Sequence, residues 1–155
     1  MKKTAVVIVA LFIGLGILAV AQAQQAKTEA AKTAVVWPAA EIKWSESPAV
    51  KGAKIAVLWG DPKMGQYGAL KSIPAGGTLG MHTHTEDQKV VIVSGTVLFA
   101  LEGSATKELG TGSYLYIPGG TRHKADCKPG ADCIYFEEQP GPSDIKFSEQ
   151  TATRK

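Results

Sequence analysis

The chain has 155 residues, 45% of them hydrophobic and 20% charged, with 17 basic against 14 acidic side chains for a formal charge of +3. That length holds one domain with its own core and is too short for two once a leader is removed. Acids and bases are interspersed, without the basic stripe of a nucleic-acid binder, so nucleic acid is not an expected partner.

At the start, Lys2 and Lys3 precede an apolar run from Ala5 to Val20, followed by Ala21-Gln22-Ala23 and a polar Gln24-Gln25. These are the charged, apolar and small-residue parts of a secretory signal peptide, expected over residues 1–23. The other reading, an uncleaved anchor, needs about 18 to 20 apolar residues, more than this run supplies. The residue directly after the cleavage site is Gln24 and not cysteine, which argues against a lipoprotein. Removal of residues 1–23 leaves 132 residues with a charge near +1, a periplasmic or secreted protein with no membrane segment in its mature form. Residues 24–36, rich in Ala, Lys, Gln and Thr, read as a flexible leader.

From Trp37 to Pro142 the chain is punctuated every 8 to 12 residues by Gly, Pro or Asp, and the pieces between are rich in Val, Ile, Leu, Tyr and Phe. This spacing predicts an all-β sandwich or barrel, a single domain over 37–142. The clearest strands are Ile55–Trp59, Tyr67–Ile73, Val90–Val93, Val97–Leu101, Ser113–Ile117 and Cys133–Glu137. Ser94-Gly95 between two apolar runs predicts a tight hairpin. Residues 143–155 are mostly polar and read as a loosely attached C-terminal tail.

The three histidines of the chain lie in two short segments, His82 and His84 in G-M-H-T-H-T-E-D-Q and His123 in P-G-G-T-R-H. Imidazole is the commonest protein ligand for transition metals, so their concentration points to one metal centre. Residues two apart on a strand share a face, with Cβ atoms on the order of 6.6 Å apart, which suits two ligands of one ion. Thr85-Glu86-Asp87 forms a turn, after which Gln88 sits on the returning strand opposite the two histidines. Val90 and Ile92 follow the parity of Gln88, as barrel core or pocket wall. Tyr114 and Tyr116 share a face that lines the mouth or packs outward, and Arg122 and Lys124 point away from the metal.

Cys127 and Cys133 flank the turn-like Lys-Pro-Gly-Ala-Asp between two strand-like segments. In an exported protein they read as a disulfide stapling a hairpin, with free thiols as the alternative. Cys127 cannot join His123 on one ion, because four strand residues separate them by about 13 Å.

The two histidine segments resemble the paired motifs of the cupin superfamily, G-x5-H-x-H-x3/4-E-x6-G and G-x5-P-x-G-x2-H-x3-N. Gly76, rather than Gly80, is separated from His82 by the five residues the motif requires; His82, His84 and Gly95 match the first motif, and Gly112, Pro118, Gly120 and His123 the second. The resemblance runs from about Tyr67 to Phe136 and implies a double-stranded β-helix, or jelly-roll barrel. It also implies one divalent transition metal (Zn, Fe, Mn, Ni or Cu), a small-molecule ligand or substrate, and a homodimer formed through an edge strand. Two departures matter: Gln88 stands where the family has a glutamate ligand, and Cys127 where it has asparagine.

Three neutral imidazoles and a neutral amide leave a divalent site at +2, which weakens metal binding but makes bound water more acidic. The substitution also removes a carboxylate base, leaving Glu86 as the candidate catalytic group in this stretch. Gln88 either ligates the metal or only hydrogen-bonds beside it. Two functions are therefore expected: a metalloenzyme of oxygenase or isomerase type, or a non-catalytic metal-dependent ligand-binding or sensing module. A metal that only stabilises the barrel is disfavoured by the open positions three histidines leave.

Overall fold

The computed structural model describes residues 33–47 and 50–147. The expected signal peptide, most of the leader and the end of the tail lie outside the described residues. The chain divides between Ala34 and Val35, and the second unit holds every strand among the described residues.

After a single 3-10 turn at Ala39–Glu41, eleven strands follow among the described residues: β1 Ser45–Glu46, β2 Lys54–Gly60, β3 Tyr67–Ile73, β4 His82–Thr83, β5 Gln88–Ser94, β6 Val97–Leu101, β7 Lys107–Leu109, β8 Tyr114–Ile117, β9 His123–Cys127, β10 Cys133–Gln139 and β11 Lys146–Phe147. They form two antiparallel sheets, β1-β2-β3-β10-β5-β8 and β11-β4-β9-β6-β7. This is the expected all-β, jelly-roll architecture. No helix of the described residues is long and apolar enough to cross a membrane.

Alternation decides which side chains enter the barrel. Along β5, Gln88, Val90 and Ile92 are buried while Lys89, Val91 and Val93 face outward. Such a period-2 pattern fixes the strand's register, because a slip of one residue would exchange the two faces. Ile73, Val90, Ile92, Val97, Cys127 and Cys133 form the buried core.

Two connections differ from expectation. Ser94-Gly95 does not close a hairpin: β5 lies in one sheet and β6 in the other, so the chain turns a corner between them. Gly95 has φ +77°, and a Cβ there would meet the Asp132 carbonyl oxygen at 2.6 Å, so the corner requires glycine. Cys127 and Cys133 are joined in a disulfide, as expected, but β9 and β10 belong to facing sheets and the bond staples a corner rather than a hairpin. Apolar runs bounded by glycine look alike whether the chain returns beside itself or crosses the barrel.

The start of the expected loose tail is also ordered. Lys146 pairs with Thr83 and Phe147 with His82, so β11 extends the second sheet. The Asp144 carboxylate accepts hydrogen bonds from the Thr85 amide (2.8 Å) and hydroxyl. These attachments use backbone and polar groups, which leave no apolar pattern in the sequence.

Candidate metal centre

β4 and β9 are neighbours, with His82 directly opposite His123, and His84 lies one residue beyond the end of β4. The three rings converge, with centroids 4.3 Å (His82 to His123), 5.0 Å (His82 to His84) and 5.4 Å (His84 to His123) apart. One ring nitrogen from each lies within 4.8 Å of the other two. Imidazole nitrogens gathered this closely are the donor set a divalent transition metal takes.

Each Nδ1 faces a backbone carbonyl: Gly80 O at 3.0 Å for His82, Thr121 O at 2.9 Å for His123, and Asp144 O for His84. A carbonyl only accepts, so Nδ1 carries the proton in each ring and Nε2 keeps its lone pair. All three histidines are buried, at 2%, 8% and 2% exposure. Burial lowers all three pKa values, only partly opposed by the bonds to the carbonyls, and brings His82 to about 4. Neutral imidazole is the ligating form, so the site is ready for a cation without first losing protons.

Gln88 opens β5, in the sheet facing the histidines, and is 3% exposed. It is thus brought to the site from across the barrel, not from a strand beside β4. Its Nε2 donates to Glu137 Oε2 at 3.1 Å. With the nitrogen end of the amide so committed, the oxygen end is left as acceptor or ligand.

Glu137, on β10, is the site residue that sequence reasoning missed. Its carboxylate is 2% exposed and also accepts from the Tyr67 hydroxyl (2.6 Å), Gln139 Nε2 (2.9 Å) and Lys71 Nζ. Burial by itself would raise the pKa; the Lys71 ammonium and the hydrogen bonds from Lys71 and Tyr67 outweigh it, and the net shift is downward. The sequence holds one signal for it: Glu137 shares the inward parity of Cys133 and Tyr135, and an acid there must be paired.

Glu86 lies in the β4–β5 connection with its carboxyl against Gly141, away from the cavity described below. Its neighbour Asp87 accepts from the Tyr116 hydroxyl (2.7 Å) and the Gly119 amide (2.9 Å), tying that connection to β8. Tyr114 and Tyr116 are outward, at 61% and 54% exposure. Arg122 pairs with Glu102 at the surface.

The histidines, Gln88 and Glu137 line a cavity of about 40 Å³ together with apolar side chains that include Val90, Ile92, Phe99, Leu115 and Ile117. That exceeds the roughly 10–15 Å³ needed for one water. Val90 and Ile92 therefore serve as core and wall together.

Residues 32–140 match the family model described as the ChrR cupin-like domain. The chain belongs to this cupin family. No curated protein matches it. Among solved structures, this cupin is similar to the polyketide cyclase RemF from Streptomyces resistomycificus (19% identity, TM-score 0.63, 76% of this chain and 89% of that one). It is also similar to KdgF from Halomonas sp. (20%, 0.56, 70% and 94%) and to a predicted oxalate decarboxylase from Thermotoga maritima (18%, 0.58, 68% and 98%). At these identities the likeness is one of fold, and the three-histidine cluster is compatible with metal binding.

Proposed function

We propose that this cupin binds one divalent transition metal through Nε2 of His82, His84 and His123, with the Gln88 amide oxygen as a fourth ligand, and acts there on a small organic molecule. The observation carrying the reading is the convergence of three buried neutral imidazoles whose Nδ1 atoms are all committed to carbonyls. A bound ion supplies Lewis acidity toward an oxygen of the ligand. Glu137 holds the Gln88 amide by its nitrogen, and apolar side chains line the rest of the cavity. The small cavity favours a compact ligand or the end of a larger one. Similar structures bear the names of a cyclase and a predicted decarboxylase, which supports small-molecule chemistry of this class, with oxygenase or isomerase reactions as the forms to assay.

One observation favours the alternative, a non-catalytic ligand-binding or sensing module. Glu137 is already engaged by four donors, and Glu86 lies away from the cavity, so neither carboxylate stands free as a general base. Product analysis of the metal-loaded protein with small phenols, diketones and hydroxy acids separates the two readings. Turnover supports the enzyme, whereas saturable binding without turnover supports the module.

The metal reading predicts about one ion per chain, lost in His82→Ala and His123→Ala; unchanged metal content in those variants would refute it. Gln88→Glu should tighten binding and change the visible spectrum of the Co²⁺ form, because a carboxylate replaces an amide. A spectrum identical to wild type would make Gln88 a bystander. The reading includes export, supported by the basic and apolar start of the chain and by a disulfide, and the mass of the mature protein should correspond to loss of residues 1–23. It also includes a homodimer, supported by exposed Val91, Val93, Tyr114 and Tyr116 on and beside edge strand β8, with light scattering as the check.

A further inference from the structure

His82 and His123 take their Nδ1 acceptors from carbonyls two residues earlier in their own segments. His84 does not. Its acceptor, Asp144 O, comes from sixty residues further on. The proton arrangement that frees Nε2 of His84 thus depends on a distant segment, Asp144 to Phe147.

That segment is fastened beside the site by a small set of polar contacts. The Asp144 carboxylate accepts from the Thr85 amide and hydroxyl, and Lys146 Nζ reaches Thr85 Oγ1 at 2.6 Å and Asp144 Oδ2 at 3.2 Å. Phe147 pairs with His82 in register, its ring 5.9 Å from the imidazole. Lys146 and Phe147 are exposed, Asp144 and Ile145 are half-buried, and β11 is two residues long. A segment with no fully buried residue opens locally at low cost.

Resting on the metal reading above, we infer that Asp144 is a positioning residue: it clasps the C-terminal strap onto Thr85 so that its own carbonyl fixes His84 for the metal, coupling strap docking to metal occupancy. Thermodynamic linkage makes the coupling reciprocal, so a docked strap tightens metal binding and bound metal tightens the strap. Water can replace the carbonyl when the strap is open, so opening weakens the site without abolishing it. Loss of such an outer partner ordinarily costs about 10- to 100-fold in metal affinity.

The test uses the full chain and Zn²⁺ alone, titrated in competition with a chromophoric chelator. Asp144→Ala is expected to bind Zn²⁺ about 10- to 100-fold more weakly than wild type, and Asp144→Asn, which keeps an acceptor for the Thr85 amide, to fall between. Lys128→Ala, in an exposed ion pair with Glu108, is the unaffected control. In wild type, Zn²⁺ should slow amide hydrogen exchange across residues 144–147, a reciprocal effect that needs no variant and survives any failure of Asp144→Ala to fold. Zn²⁺ bound equally by wild type and a folded Asp144→Ala, or exchange in the strap unaltered by Zn²⁺, overturns the inference and leaves the metal site standing. A wild-type protein that binds no Zn²⁺ or any other divalent transition metal overturns both.

Discussion

Strands β9 and β10 each run from one end of the barrel to the other, and the two ends are built differently. At one end Cys127 and Cys133 are bonded to each other and packed with Ile73 and Val97. At the other, His123 of β9 and Glu137 of β10 stand with His82, His84 and Gln88, all buried and all polar. Apolar burial needs no particular partner, whereas every buried polar group must be matched or it costs free energy. The histidine end answers most of this with a specified partner for each Nδ1 and four donors on Glu137, and leaves Gln139 Oε1 buried without a partner among the described residues. The covalent, apolar end holds the strands in the register that this matching requires.

The largest expected effect on stability comes from removing the charge at the centre of the polar end. Glu137→Leu leaves the Lys71 ammonium, 18% exposed, without its carboxylate and strips partners from Tyr67, Gln88 and Gln139. A loss of about 3–5 kcal/mol is expected by denaturant unfolding. A loss below about 1 kcal/mol would mean that the polar end does not rely on its pairing.

The polar end should also carry the pH dependence. His82, His84 and His123 have pKa values lowered by burial, so the unfolded chain binds more protons below the ordinary histidine value of 6.5. Their stabilising contribution is full above pH 6.5 and is lost as pH falls toward about 4, the His82 value. Glu137, whose pKa is also lowered, contributes in the same direction starting from its ordinary value of 4.5. The metal-free protein should therefore lose thermal stability progressively between pH 6.5 and 4, and His82→Phe should flatten the upper part of that decline. A flat profile would contradict the burial of neutral imidazoles.

At the other end, Cys127→Ala with Cys133→Ala opens a small loop and should cost about 2 kcal/mol while leaving metal content and the shape of the pH profile unchanged. Loss of metal in that variant would show that the two ends are not separable. The smallest effect belongs to the surface near the disulfide end: Lys128→Ala breaks an exposed pair with Glu108 and should change stability by less than about 0.5 kcal/mol.

Much of the barrel was legible because the strands alternate and the turns carry glycine and proline. Tyr67–Ile73 and Val97–Leu101 have the bounds expected from the sequence, and the histidine segments led directly to one cluster. Strand assignment does not reveal which sheet a strand joins. Ser94-Gly95 and the Cys127–Cys133 segment have the sequence pattern of hairpins for this reason, yet both are corners between the sheets. The site residues that escaped notice are those supplied over long sequence distances. Glu137 lies 49 positions beyond Gln88, and Asp144 sixty beyond His84. Glu86 is near the histidines in sequence, but the turn that carries it directs its carboxyl to Gly141.

Anomalous diffraction at the absorption edge of the bound metal shows whether the histidine end holds the ion. One peak per chain is expected, about 2.0–2.2 Å from Nε2 of His82, His84 and His123, with the Gln88 amide oxygen next nearest. A peak bonded through Nδ1, or no peak at the three imidazoles in metal-saturated crystals, would contradict this coordination.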